Sequence, residues 1–190
     1  MPKTALIIVD MQRDFMPGGA LPVPGADEIV PTLNRYIQLA KGRGWPVVAT
    51  RDWHPPNHCS FREQGGPWPA HCLAGTEGAE FHPDLELPED AIVISKATDP
   101  DREAYSAFQG TDLLKKLKQL GIERLLIGGV ATDYCVNETV RDGVQEGFEV
   151  WLLSDATRGT DPEAVAEILK GLEKMGVRLA TFEQVEALKE

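Results

Sequence analysis

Basic residues are in short supply in this 190-residue chain, where 19 Lys and Arg stand against 30 Asp and Glu for a formal net charge of −11. So acidic a chain offers no concentrated cationic surface for a phosphate backbone, which excludes nucleic acid as the expected partner. Cysteine is scarce as well. The three present, Cys59, Cys72 and Cys135, are odd in number and irregularly spaced, which suits reduced thiols in a reducing compartment better than a disulfide framework. A Cys59 to Cys72 disulfide is the less favoured alternative. No apolar run approaches the length of a membrane span, so no membrane partner is expected. Met1-Pro2-Lys3 leads into the first apolar run without the architecture of an export signal, and a cytoplasmic protein is expected. Internal repeats, low-complexity segments and interdomain linkers are also missing. With 42% hydrophobic and 26% charged residues, the composition fits one domain over residues 1–190 with a full core. The oligomeric state, including a homo-oligomer, is left open.

Short apolar runs alternate with stretches of helical periodicity. Residues 4–9 (TALIIV), 46–50 (PVVAT), 91–95 (AIVIS), 124–127 (RLLI), 150–153 (VWLL) and 177–180 (VRLA) read as strands, and their continuous hydrophobicity marks strands covered on both faces. Ile29, Leu33, Tyr36, Ile37 and Ala40 share one helical face that Gly42 and Gly44 bring to an end. Thr111-Asp112 caps a helix carrying Leu113, Leu114, Leu117 and Leu120, closed by Gly121. Residues 132–146 read as a helix capped by Thr132 or Asp133. Thr160-Asp161-Pro162-Glu163 resembles a capping box opening a helix that buries Val165, Ile168, Leu169 and Leu172, and residues 182–188 form a last short helix. From about 52 to 89 the composition shifts to Pro, Gly, His and Trp without periodicity, the mark of an ordered functional insertion. The predicted fold class is α/β, a six-stranded, mostly parallel sheet with helices on both faces in a Rossmann-like three-layer arrangement.

In such sheets ligands bind beyond the carboxyl ends of the strands, and Asp10, Asp52, Lys96 and Cys135 each fall at or just past a different strand end. Cys135 lies in GGVATDYCV (residues 128–136), in a first helical turn. There the free N–H groups and the positive end of the helix dipole favour a thiolate, although most free cysteines are simply small buried hydrophobes. Asp10 is the available base. Burial should raise its pKa, while Lys96 should lower it and favour the Cys135 thiolate. Singly, Asp10 reads equally well as a cap and Lys96 as a surface lysine; three matched strand ends together point to a nucleophile, its base and a cationic partner. Asp52 and His54, two residues apart, leave an extended segment on the same side, and His71 can close a three-ligand site. Two histidines and a carboxylate with open positions suit one divalent ion, Zn(II) first and Mn(II) or Fe(II) as alternatives. His58 is a candidate further ligand and Glu63 a weaker one, with Cys59 and Cys72 below the Asp and His set. Taken singly, His58 and His82 read as hydrogen-bonding loop histidines. Phe15, Trp68 and Tyr105 are candidate walls for a flat aromatic substrate.

Together, ALIIVDMQRDF (5–15), Asp52-Trp53-His54-Pro55, Trp68-Pro69-Ala70-His71-Cys72, Lys96, AYSAF (104–108) and GVATDYCV (129–136) resemble the isochorismatase-like cysteine hydrolases and, within them, the nicotinamidases (pyrazinamidases). The resemblance implies an isochorismatase-like fold, with Cys135 as nucleophile, Asp10 as base and then acid, and Lys96 as their cationic partner. It also implies a metal held by Asp52, His54 and His71. A cis bond between Val130 and Ala131 is implied too, aiming the Ala131 and Cys135 N–H groups at an oxyanion and placing Ala131 against the substrate. The implied activity is hydrolysis of nicotinamide to nicotinate and ammonia in NAD salvage, with pyrazinamide as a further substrate. The alternatives are a cysteine hydrolase of another small amide, such as an N-carbamoyl compound, and a non-catalytic metabolite-binding protein. The metal set weighs against the first, and the complete base, lysine and cysteine set against the second.

Overall fold

The computed structural model describes residues 1–189. Six strands, β1 (Thr4–Val9), β2 (Val47–Asp52), β3 (Ile92–Lys96), β4 (Arg124–Val130), β5 (Glu149–Arg158) and β6 (Arg178–Ala180), form one sheet in the order β3-β2-β1-β4-β5-β6. Every neighbouring pair is parallel.

All of β1 is buried because its alternate side chains enter two different cores. Leu6 and Ile8 pack with Leu33 and Ile37 of α1 (Val30–Arg43) and with Phe182 and Val185 of α5 (Phe182–Glu186). Ala5, Ile7 and Val9 face the other way. They join Leu113 and Leu117 of α2 (Leu113–Gln119), Val140 of α3 (Asn137–Gln145) and Leu172 of α4 (Pro162–Lys174). Each fully buried Leu or Ile contributes about 1.5–3 kcal/mol, so a charge anywhere in β1 would open a core whichever way it pointed.

α1 runs through Gly42 and ends at Gly44, whose φ of 70° lets its N–H close onto the Ala40 and Lys41 carbonyls. The Asp161 carboxylate accepts the Glu163 N–H and caps α4. Other local expectations are corrected. Neither Thr132 nor Asp133 caps a helix: the Thr132 hydroxyl pairs with that of Thr157 at 2.6 Å, and the Asp133 carboxylate accepts from Thr160 and Asp161. The chain instead leaves β4 through a wide π-helical turn, Thr132–Val136, before α3 begins. Along α4 only Leu172 is fully buried, and Val165, Ile168 and Leu169 are partly covered. β5 continues well past residue 153, because its register against β4 shifts between Ile127 and Gly129 and pairing resumes at Thr157. The three cysteines are free.

Between β2 and β3 the chain forms short turns at Arg62–Gln64 and Glu77–Ala79, tied by isolated bridges between His54 and Leu73, Phe61 and Trp68, and Gln12 and Phe81. The insertion is thus ordered with no long element of its own. Among the described residues no helix is long and apolar enough to cross a membrane. In chain order the sheet reverses direction between β1 and β4, and the crevice beyond their carboxyl ends is where an open α/β sheet receives ligands.

Candidate active site

Asp10 follows β1 and Cys135 follows β4, so the two flank that crevice. Asp10 takes a left-handed backbone, φ 51°, which turns the chain off the end of β1 and directs the carboxylate back toward β2 and β3. Its Oδ1 accepts the Thr50 hydroxyl at 2.8 Å, and its Oδ2 lies 2.9 Å from the Lys96 ammonium. Lys96, the last residue of β3 and 1% exposed, also reaches Asp52 Oδ1 at 2.5 Å and Cys135 Sγ at 3.3 Å. Two further left-handed non-glycine residues, Cys72 and Ala97, directly follow His71 and Lys96; backbone strain of this kind collects where function holds the chain. Gly129, at φ 117°, answers a different need, since a Cβ there would collide with the Val9 backbone where β4 runs beside β1.

The electrostatics sort the four groups. Burial holds the Asp10 pKa above the usual carboxylate range, with Lys96 pulling it down and Asp52 adding to the rise. Burial acts on Asp52 in the same sense, but Lys96, helped by His54, outweighs it and the pKa falls. Burial would lower Lys96, yet Asp10 and Asp52 keep it well above its ordinary value. For Cys135, burial followed by the two carboxylates pushes the thiol well up against the opposing pull of Lys96. Burial thus outweighs the pull of Lys96 toward a thiolate, and the raised thiol lies beside a carboxylate whose own affinity for protons is raised.

Next to this cluster, one ligand atom from each of Asp52, His54 and His71 lies within 4.8 Å of the others. His54 Nδ1 faces the His71 carbonyl at 2.9 Å and His71 Nδ1 faces the Pro69 carbonyl at 2.8 Å. Each Nδ1–H is therefore the donor and each Nε2 keeps its lone pair, the orientation of a metal-ligating histidine. His54 Nε2 is buried and has no hydrogen-bond partner among the described residues. A stranded buried lone pair costs about 1–3 kcal/mol, and a cation there would satisfy it. Burial also pushes the His54 pKa down to about 4, keeping the ring neutral. The donors fit a divalent metal ion with positions open to other ligands.

His58 does not join this set. Its ring stacks on His54, but Nδ1 meets the Ser60 hydroxyl at 2.7 Å and Nε2 the Arg102 carbonyl at 2.9 Å, leaving no free lone pair. Glu63 is exposed on its turn, Cys59 is half-buried, and Cys72 is sealed in the core with its thiol held protonated by burial.

Asp52, His71 and Cys135 share the wall of one cavity beside the crevice. Phe15, Trp68, Tyr105 and Ala131 line it too. The Trp68 indole N–H donates to the Tyr105 hydroxyl at 3.1 Å, and both rings pack against Tyr134. Tyr134 was not singled out from the sequence, although it is the aromatic residue next to Cys135. Glu103, Leu21 and Val23 also line the cavity and carry no motif of their own. The Val130–Ala131 peptide is cis, and Ala131 and Cys135 border the same space.

The fold has close counterparts. The crystal structure of pyrazinamidase from Pyrococcus horikoshii in complex with zinc superposes with a TM-score of 0.93 at 57% identity, covering 95% of this chain and 100% of that one. The structure of PnC1 from L. infantum in complex with nicotinate gives 0.88 at 38% identity, covering 96% and 94%. The nicotinamidase of Escherichia coli (strain K12) is 38% identical over 96% of both chains. Residues 4–184 match the family model described as Isochorismatase domain; with an all-parallel sheet and an acid, lysine and cysteine gathered at its switch point, the chain belongs to the isochorismatase family.

Proposed function

We propose that this chain hydrolyses nicotinamide to nicotinate and ammonia, accepts pyrazinamide as well, and serves NAD salvage. The observation that carries this reading is the single buried ammonium of Lys96, in contact with Asp10, Asp52 and Cys135 beside an aromatic-walled cavity. The similarity to a zinc-containing pyrazinamidase and a nicotinate-bound relative supports the choice of substrate. We read the whole chain as one hydrolase domain, with residues 52–89 as its metal-binding insertion.

Asp52, His54 and His71 would hold one divalent ion, Zn(II) first and Mn(II) or Fe(II) as alternatives, which when bound supplies a Lewis acid at the cavity wall for a ring nitrogen. Phe15, Trp68 and Tyr105 orient the flat ring so that its carboxamide carbon faces Cys135. Asp10 takes the thiol proton, an exchange favoured by the elevated pKa of the carboxylate. The sulfur attacks the carboxamide, and the Ala131 and Cys135 N–H groups stabilise the tetrahedral oxyanion. Asp10 returns the proton to the departing ammonia, leaving a thioester. A water deprotonated by Asp10 then cleaves it and restores the thiol.

Replacing Cys135 by Ala tests the covalent route. Turnover, followed by ammonia release, should vanish while nicotinamide still binds, and retained turnover would refute it.

A further inference from the structure

We propose that Gln12 is a positioning residue that fixes the metal ligand Asp52 by standing in for a missing strand. β1 pairs with β2 only as far as Val9 opposite Thr50, because the chain turns away at Asp10. Asp52 lies two residues beyond. On its other side it still pairs with Lys96 of β3, but toward β1 its backbone would face no partner. The Gln12 side chain fills that gap. Its Oε1 accepts the Asp52 N–H at 2.9 Å, and its Nε2 donates to the Asp52 carbonyl at 2.8 Å and to the Ala79 carbonyl at 3.0 Å. Gln12 is 0% exposed and is not among the residues that line the cavity, so it acts on the site through the backbone it holds, that of Asp52 first.

The chemistry of this rung specifies an amide. One acceptor and two donors are needed at one place. A glutamate of the same shape would bring only oxygens to the two carbonyls, and asparagine is one methylene short. Through the third bond Gln12 also anchors the insertion at Ala79, the same insertion that carries His54 and His71. Asp14, two residues on, does the same from the neighbouring turn: its Oδ2 accepts the N–H of Cys72, the residue after His71, at 2.7 Å. The segment that leaves the proposed base thus braces the metal ligands from behind.

This inference rests on the metal site read above, and the test separates the two. Zn(II) affinity is measured by competition with a chromophoric chelator for the wild-type chain, Gln12→Glu, Gln12→Met and Leu172→Ala, and the visible spectrum of Co(II) bound to each reports ligand geometry. Leu172 lies under α4 in the core on the other side of the sheet from α1, so its variant matches a loss of stability without touching the site. Both Gln12 variants should bind Zn(II) roughly 10–100-fold more weakly, the usual effect of removing a group that orients a ligand, with altered Co(II) bands, while Leu172→Ala keeps wild-type affinity. Wild-type affinity and spectrum in both Gln12 variants, or an equal loss in Leu172→Ala, would overturn the assignment. So would failure of both Gln12 variants to fold, since the residue would then serve the fold and not the site. A wild-type chain that binds no Zn(II) overturns the metal reading itself.

Discussion

Replacing Lys96 by Met removes the ammonium and leaves both carboxylates in place. In the native chain Nζ lies 2.9 Å from Asp10 and 2.5 Å from Asp52, with all three side chains almost wholly shielded from solvent. Methionine restores much of the volume and none of the charge. Taking one partner from a buried ion pair costs about 3–5 kcal/mol, and at about 2–4 °C per kcal/mol for a chain of this length the Tm should fall by roughly 6–20 °C. Protonating Asp10 recovers part of that loss, since burial already raises its pKa, but a protonated Asp10 cannot accept the thiol proton. Stability and nicotinamide turnover should therefore fall together. The assay is urea denaturation followed by circular dichroism for wild type, Lys96→Met, Asp10→Asn and the double variant. The double variant should be more stable than the sum of the single losses predicts, by about 0.5–3 kcal/mol, the range for groups in direct contact. Strict additivity, or a Lys96→Met chain as stable as wild type, would refute the electrostatic reasoning.

Three other outcomes follow from separate features. Removing the metal with a chelator should weaken nicotinamide binding to Cys135→Ala, measured by calorimetry, and undiminished affinity would remove the ion's orienting role; restoring Zn(II) at about 100 times its Kd should raise stability by about 2.7 kcal/mol. In the metal-free protein His54, surrounded by Asp52, His58 and His71, has its pKa depressed by burial to about 4, so the unfolded chain binds the extra proton. The His54 contribution to stability should then be full above about pH 6.5 and fall by about 3 kcal/mol as pH drops toward 4, against the opposite pull of Asp10 with its raised pKa; a difference in urea midpoint between wild type and His54→Gln that is independent of pH across that window would contradict it. Gly129→Ala should destabilise the chain by at least roughly 1–3 kcal/mol, because a Cβ there would meet the Val9 backbone and the positive φ is strained for other residues; an unchanged denaturation midpoint would show that β4 can move away from β1.

Much of this architecture could be read from the chain because its strands are unambiguous. A run such as Ala5-Leu6-Ile7-Ile8-Val9 has to be covered on both faces, and a sheet of such strands places the polar residues that follow them along one edge. Asp10, Lys96 and Cys135 were legible for that reason, and the structure brings their functional atoms into contact. What escaped the sequence depends on tertiary partners. The Thr132 and Asp133 side chains have the chemistry of caps, but Thr157 and Thr160 compete for them. Ser154 and Asp155 interrupt the apolar run of β5, whereas the structure carries the strand across a register shift to Arg158. His58 has the same side chain as His54 and His71, and only the folded chain shows its two ring nitrogens turned to Ser60 and Arg102. Tyr134 carries no periodicity of its own, and the cavity it lines forms only once the insertion has folded across the sheet.

Asp52 has a double allegiance. One oxygen touches Lys96 within the hydrolytic cluster and the other faces His54, so the carboxylate is the common member of two otherwise separate sets. His54 and His71 could be re-sited by redesigning the excursion between β2 and β3, and with them the kind of molecule the enzyme admits, while the bond-breaking apparatus stayed on its strand ends. Asp52 alone could not be carried off in such an exchange, because whatever replaced it would have to answer to the ammonium and the cation at once.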